Sequence, residues 1–185
     1  METLEALRLR CSLKAHISAR KVESEKIAKV LDAARMAPSA RNRQPWRFVV
    51  VQGEDVKPLA VNALTGPGSE AERSPVIIVI CGKPEDDIIK EGKEYYLYDI
   101  ASAVENMLIA ATDLGLVTHL FATFDEREVK KTLGIPEDTR VILFTPLAYP
   151  QERSYGEAAA ERLAARSRKN LNEFVYDGTW GNPWT

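Results

Sequence analysis

The sequence predicts an α+β fold in which helices flank a mixed β-sheet and one helix is central. The apolar run Val76–Cys81 does not alternate with polar residues, which fits a strand buried on both faces. The segment Tyr95–Leu114 is apolar nearly all round, as a central helix is, and Gly115 is well placed to end it. Helices and strands alternate, but without the regularity of a doubly wound sheet. We therefore expect one domain over residues 1–185.

The first third of the chain predicts a helix, a strand and a second helix. Apolar residues recur at helical spacing from Ser24 to about Met36, and Pro38 ends that pattern. The short β-branched run Arg47–Val51 predicts a strand. A second short helix is expected over Val56–Ala63, before a loop at Gly66–Gly68.

After the central helix, the sequence predicts two more strands and two more helices. Strands are expected over Val117–Phe121 and over Arg140–Phe144, the latter with Pro146 near its end. The intervening segment Asp125–Gly134 has the start and stop signals of a helix. An alanine-rich helix is expected over Gly156–Arg166. The aromatic tail that follows has no regular period and is expected to pack against a partner subunit.

Composition excludes several classes of protein. The net charge of −2 provides no basic field for nucleic acid or for an anionic membrane. Cys11 and Cys81 have neither metal-ligand spacing nor the look of a disulfide framework. No apolar run reaches the ~18–20 residues that span a bilayer, and the N-terminus lacks signal-peptide features, so a cytoplasmic protein is expected. No G-x-G-x-x-G follows a strand, which disfavours a Rossmann enzyme.

A basic motif near the N-terminus has the chemistry of an anion site. In Arg10-Cys11-Ser12-Leu13-Lys14, two cations and a hydroxyl alternate, so an extended backbone would place all three on one face. A guanidinium, a hydroxyl and an ammonium together suit a phosphate dianion. An ordinary solvated basic strand remains the alternative.

A polar motif runs from the end of the first long helix into the first strand. In residues 37–46, two prolines fix the backbone at Pro38 and Pro45, and Ser39, Asn42 and Gln44 between them can donate and accept hydrogen bonds. A flavin ring needs such groups, since its pyrimidine edge alternates acceptors and nitrogens. A polar connector leading into the core is the alternative interpretation.

The polar motif strongly resembles the signature of the FMN-dependent nitroreductase family. Five further segments resemble the family in the same order: its N-terminal phosphate motif, its central helix, the strand and loop over the flavin, a strand ending in a Gly-Tyr-Pro-like turn, and a C-terminal basic segment. In chain order, the six segments are RCSLK, APSARNRQPWRFVVV, DIASAVENMLIAATDLGL, THLFATFDEREVKKTLGIP, RVILFTPLAYP and ARSRKNLNEFV.

The resemblance implies a flavin site shared by two subunits. One subunit would contact the flavin through its basic motif, the other through the polar loop, in which Gln44 would hold the loop in place. The backbone of the loop after the central helix would pack on the ring, and the C-terminal basic segment would clamp the phosphate, with Arg168 as the better candidate of its two arginines. The residues implied are Arg10, Cys11, Ser12, Lys14, Pro38, Ser39, Ala40, Asn42, Gln44, Leu120, Phe121, Ala122, Arg166 and Arg168.

The resemblance also implies an activity. FMN would take a hydride from NADH or NADPH and pass the electrons to an oxidised small molecule such as a nitroaromatic or a quinone, by a ping-pong mechanism without a catalytic side chain or a metal. The subunits would form a homodimer in which the C-terminal arm is exchanged. Tyr95, Tyr96 and Tyr98 are candidates for the substrate side. A flavin-binding sensor without turnover, and a specialised dehydrogenase or dehalogenase of the family, remain alternatives.

Two segments depart from the family pattern. Where many relatives have an Asn and a Lys, Gly66–Ser69 offers neither, and Ala122 with Thr123 replaces the usual acidic residue and glycine. The chain is also too short for the long insertion that covers the pocket in larger relatives.

Overall fold

The computed structural model describes residues 1–13, 17–60, 70–151 and 154–184. Its helices are α1 Thr3–Leu9, α2 Ser24–Arg35, α3 Val56–Leu59, α4 Tyr95–Asp113, α5 Glu126–Leu133 and α6 Tyr155–Ala164. Its strands are β1 Trp46–Gln52, β2 Val76–Gly82, β3 Ile89–Lys90, β4 Lys93–Glu94, β5 Val117–Thr118 and β6 Arg140–Ala148. Among these residues, no helix combines the length and the apolar character needed to cross a membrane.

The main sheet has four strands in the order β1-β2-β6-β5, and each neighbouring pair is antiparallel. A single parallel bridge, between Ser12 and Thr118, joins the N-terminal segment to β5 at the edge of the sheet. Strands β3 and β4 form a separate small hairpin before α4. The predicted α+β class with a flanked sheet is confirmed.

Strand β2 lies between two apolar layers, and all seven of its residues are buried. Its even-numbered residues, with Ile78 central, pack with α2 and α4, whereas the odd-numbered residues around Val79 pack with α3 and α5. This alternation explains the unbroken apolar run, because side chains on both faces of the strand are in a core. The predicted strand and the predicted central helix are both confirmed.

Gly82 permits a close contact between the sheet and the first turn of α4. A β-carbon at Gly82 would collide with Ile100 Cδ1 and would lie 3.1 Å from Tyr96 Cδ2. Both of those side chains are in the core. The absence of a side chain at the end of β2 therefore sets the position of the N-terminal part of α4.

Strands β5 and β6 differ from their predicted bounds. Strand β6 continues through Pro146 to Ala148, whereas β5 ends at Thr118 and leaves only an isolated bridge between Phe121 and Phe144. Phe144 exchanges both backbone hydrogen bonds with Phe121. The backbone groups of Pro146, two residues further along β6, are therefore directed to the same side, towards β5. Proline has no N–H to donate there, and the pairing is interrupted at that point.

The last segment, the C-terminal arm (residues 165–184), follows α6 without regular structure beyond a short 3₁₀ turn. Helix α6 begins with a capping box in which Ser154 and Glu157 bond each other's backbone N–H. The large apolar side chains of the arm are exposed: Leu171, Phe174, Trp180 and Trp184. These exposed side chains give the arm an apolar surface.

Candidate functional site

The basic motif is extended and alternates as its sequence predicts. Cys11 and Leu13 are buried, Ser12 is exposed, and Arg10 is partly exposed at the C-terminal end of α1. The Leu13 N–H donates to the Thr118 carbonyl at 3.0 Å. Arg10 and Ser12 are therefore directed away from the core beside the end of β5. Lys14 lies outside the described residues.

The segment Leu120–Ala122 follows β5 and starts beside the basic motif. Its backbone is fixed where Phe121 pairs with Phe144, and the two rings stack with centroids 4.7 Å apart. Leu120 packs on the main core, whereas Ala122 is exposed. The structure thus brings the predicted ring-packing backbone to the same edge of the sheet as Ser12.

The two arginines of the C-terminal basic segment have different surroundings. Arg166 donates from Nη1 to the Arg8 carbonyl at 2.7 Å and from Nη2 to the Arg10 carbonyl. Arg168 is exposed, and its Nη1 donates to the Ser167 carbonyl at 2.7 Å. The two arginines are two positions apart, so their α-carbons are at most about 7 Å from each other. Arg168 is therefore the better placed of the two for an anion beside Arg10.

We call Arg10–Ser12, Leu120–Ala122 and Arg168 the basic half-site. An exposed hydroxyl and two guanidinium groups offer several donors, and Arg10 Nε also lies 3.8 Å from Glu105 Oε1. This donor set fits the phosphate of FMN.

The polar loop, Pro38–Gln44, has a backbone conformation that is unusual for its residues. Arg41, Asn42 and Gln44 have φ values of 52°, 56° and 51°, in the left-handed region. Asparagine tolerates this region, but for arginine and glutamine it costs of order 1 kcal/mol each. Such strain persists only where surrounding contacts enforce it, and it is often found at binding sites.

Hydrogen bonds within the loop maintain that conformation. Ser39 Oγ accepts from the Gln44 backbone N–H at 3.0 Å, and Gln44 Nε2 donates to the Asn42 carbonyl at 3.3 Å. Gln44 thus bonds within its own loop. Pro38, Asn42 and Gln44 remain exposed.

Asp99, which the sequence analysis missed, anchors the loop to α4. Its Oδ2 accepts the Ala40 N–H at 2.7 Å, and the side chain is only 8% exposed. Burial raises the pKa of Asp99, the bond from Ala40 opposes this rise, and the neighbouring Asp87 carboxyl adds to it. An acidic residue in a helix that is apolar all round was the available signal. We call Pro38–Gln44 with Asp99 the loop half-site.

A cavity of about 530 Å³ lies beside the loop half-site. It is lined by Pro38, Ser39, Ala40, Lys93, Tyr95, Tyr98, Asp99 and Ser102. The volume is in the range of small-molecule sites. Of the three tyrosines predicted for the substrate side, Tyr95 and Tyr98 therefore lie at this cavity, whereas the structure places Tyr96 in the core, packed near Gly82. Sequence reasoning also missed Lys93 and Ser102.

The two half-sites lie on different sides of α4. Asp99 contacts the loop, and Glu105 faces Arg10. Asp99 and Glu105 are six positions apart in the helix, which places them roughly 9 Å apart along its axis and about 120° apart around it. One chain therefore presents two separate surfaces, each with part of the groups that a flavin requires.

Comparison with known proteins identifies the family. The model of the nitroreductase family matches residues 7–67 and 59–149. The chain belongs to the nitroreductase family. A protein of Archaeoglobus fulgidus named "Putative NADH dehydrogenase/NAD(P)H nitroreductase" is 33% identical over 162 residues, covering 85% of this chain and 91% of that protein. The members of this family are oxidoreductases, and this protein is therefore an oxidoreductase.

Solved structures agree. A nitroreductase family protein from Clostridium novyi NT has a TM-score of 0.76 at 32% identity, covering 100% of this chain and 97% of its own. A Clostridium difficile R20291 protein described as an FMN-dependent nitroreductase shares the fold, with a TM-score of 0.74 at 21% identity over 96% of this chain and 99% of its own. The nitroreductase fold predicted from the six segments is confirmed.

Proposed function

We propose that this protein is an FMN-dependent oxidoreductase that uses NADH or NADPH to reduce an oxidised aromatic molecule, such as a nitroaromatic or a quinone. The observation that carries the proposal is the outward pair Arg10 and Ser12 at one edge of the sheet. The pair lies beside the strand end that leads into Leu120–Ala122, and Arg166 bonds the Arg10 carbonyl. Family membership and an FMN-dependent neighbour of the same fold support it.

The chain's own residues would bind and orient the cofactor. Arg10, Ser12 and Arg168 would hold the phosphate, and the backbone at Leu120–Ala122 would support the ring. When bound, FMN supplies the redox chemistry by accepting a hydride from the nicotinamide and returning the electrons to the second substrate. The apolar cores behind both half-sites would exclude water from one side of the bound cofactor.

A complete site needs two copies of the chain. The basic half-site and the loop half-site are separated by α4 within one chain, so the loop of a second copy would close over the flavin. Exposed apolar side chains on α1 and α4, among them Leu4, Leu7 and Tyr98, together with the aromatic arm, provide a surface for that partner. We propose a homodimer with shared sites, in which the arm is exchanged.

The cavity beside the loop would receive the nicotinamide and the second substrate in turn. Tyr95 and Tyr98 offer aromatic surfaces for a flat molecule, and their rings meet edge to face with centroids 5.9 Å apart. Lys93 at the rim adds a cation.

The visible spectrum of the purified protein tests the proposal. We expect a yellow protein that releases FMN, with its colour lost when NADH or NADPH is added without oxygen and restored by a nitroaromatic compound or a quinone. A protein that binds FMN but stays yellow with both nucleotides would instead be a flavin-binding sensor. A protein that takes up no flavin would refute the cofactor assignment.

A further inference from the structure

Helix α6 lies along the basic motif and supports it from the core side. Tyr155, Ala159 and Leu163 recur every four residues, so they share one face of the helix. That face forms an apolar cluster with Leu9 and Cys11. The backbone that carries Arg10 and Ser12 therefore rests on α6.

A buried hydroxyl fixes the middle of the motif. Tyr155 is 7% exposed, and its hydroxyl oxygen accepts the Cys11 N–H at 3.1 Å. The hydroxyl has one proton and two acceptors for it at 3.4 Å, the Cys11 carbonyl and Thr112 Oγ1, whose own proton goes to the Leu108 carbonyl. An unpaired buried N–H is costly, so this bond sets the plane of the Cys11 peptide. The neighbouring Ser12 is thereby directed outward.

A guanidinium just beyond α6 fixes the start of the motif. Arg166 places its two Nη groups on the carbonyls of Arg8 and Arg10, at the C-terminal end of α1. A cation here also interacts favourably with the helix dipole. The fork of Arg166 is thus directed at protein carbonyls, in contrast to the exposed Arg168.

We infer that Tyr155 and Arg166 are positioning residues, which hold Arg10–Ser12 in the conformation that binds the flavin phosphate without touching the phosphate themselves. This inference rests on the proposed function. It separates two roles among the basic residues of the C-terminal segment: Arg168 binds the anion, and Arg166 orients the residues that bind it.

The affinities of the flavin-free protein for FMN and for riboflavin, which lacks the phosphate, test the role of Tyr155. Tyr155→Phe keeps the ring and removes the hydroxyl. We expect FMN to bind roughly tenfold more weakly and riboflavin to bind with unchanged affinity. Tyr149→Phe is the matched control, because its hydroxyl bonds the Glu23 carboxylate instead, at 2.5 Å, and both affinities should be kept.

Arg166 is tested by a conservative substitution. A lysine could still reach a phosphate, but it cannot bond two carbonyls in a fork. If Arg166 positions the motif, Arg166→Lys should lose as much FMN affinity as Arg166→Gln, again with riboflavin unaffected. If Arg166 binds the phosphate itself, lysine should restore most of the affinity, and the inference is wrong.

Each result has a distinct meaning. Equal weakening of FMN and riboflavin in Tyr155→Phe would show a merely structural role and overturn the inference, as would no change in either. Thermal unfolding of the flavin-free variants checks that they fold. If Tyr155→Phe does not fold, the comparison of Arg166→Lys with Arg166→Gln tests the inference. A wild-type protein that binds neither flavin would refute the proposed function itself. If the wild type binds FMN and the variants bind it with the same affinity, the inference alone is refuted.

Discussion

Asp99 is the residue on which the loop half-site most directly depends. Its carboxylate accepts the Ala40 N–H, and this bond ties a loop with three left-handed residues to the central helix. The position next to Asp87 gives the bond a dependence on pH, because burial and the second carboxyl both raise the pKa of Asp99 in the folded protein.

Asp99→Asn should therefore change the pH dependence of stability. The folded protein holds the Asp99 proton more tightly than the unfolded chain does, so this group contributes stability at low pH that is lost as pH rises through the folded pKa. Asparagine keeps an acceptor for Ala40 but does not titrate. We expect the free energy of unfolding of the wild type, relative to the variant, to fall as the pH rises above the usual aspartate pKa of about 4.

Urea unfolding at several pH values measures this difference. Glu161→Gln, which alters an exposed carboxylate in the middle of α6, is the control and should leave the wild-type profile unchanged. Profiles of the wild type and Asp99→Asn that stay parallel would contradict the assigned role of Asp99.

The contrast between Arg166 and Arg168 shows where sequence reasoning stopped at this scale. The resemblance to the family favours Arg168 as the phosphate ligand, but only the three-dimensional contacts reveal that Arg166 binds α1 carbonyls. The tyrosine triplet is similar. Helical geometry sends Tyr96 into the core and leaves Tyr95 and Tyr98 at the cavity. The sequence predicted a helix from Tyr95, but because that helix is apolar nearly all round, it did not indicate which tyrosine faces the sheet.

At the scale of elements, the contact between β2 and α4 positions the loop half-site. Gly82→Ala would add a β-carbon against Ile100 and Tyr96, which are both buried. We expect destabilisation of about 1–3 kcal/mol from overpacking. The displaced first turn of α4 would carry Asp99 with it, so FMN affinity should also fall.

Chemical denaturation and FMN titration of Gly82→Ala check both effects. Gly156→Ala is the matched control, because a β-carbon there meets no atom within 4 Å and the residue lies in α6. It should leave FMN affinity unchanged and stabilise the protein by up to about 1 kcal/mol. Equal stability of both variants would refute the close-contact argument.

Elements with strong periodic or capping signals were predicted within a few residues, as α2, β2 and α4 show. Helix α5 also begins and ends as predicted, since Asp125 accepts two N–H groups of the first turn and Gly134 has φ 65°. The bounds of β5 and β6 were wrong because they depend on pairing across the sheet, where a proline interrupts one edge and not the other. The local sequence pattern does not show which neighbouring strand lies opposite the proline nitrogen, which has no hydrogen to donate.

For the whole molecule, the exposed aromatic groups of the arm predict self-association. Trp180 is 90% exposed and Trp184 is 52% exposed, although tryptophan is costly to leave in water. If the arm docks on a second copy, Trp180→Ala with Trp184→Ala should weaken the dimer at least about thirtyfold, which is about 2 kcal/mol, as removal of interface aromatics does.

Light scattering over a range of protein concentrations measures the dissociation constant. Ile89→Ala, an exposed apolar residue of the β3–β4 hairpin, is the control and should leave the mass unchanged. A wild type that is monomeric with FMN bound would overturn the dimer, and a double variant that dimerises as well as the wild type would exclude the arm from the interface.

The placement of the two half-sites on different sides of α4 has a genetic consequence. In the proposed dimer, each subunit gives its basic half-site to one flavin and its loop half-site to the other. A subunit damaged only in the loop could therefore pair with one damaged only at Arg10 or Ser12, and the mixed dimer would have one doubly damaged site and one intact site. Two alleles that are each inactive alone would therefore complement each other, because the mixed dimer has one intact site.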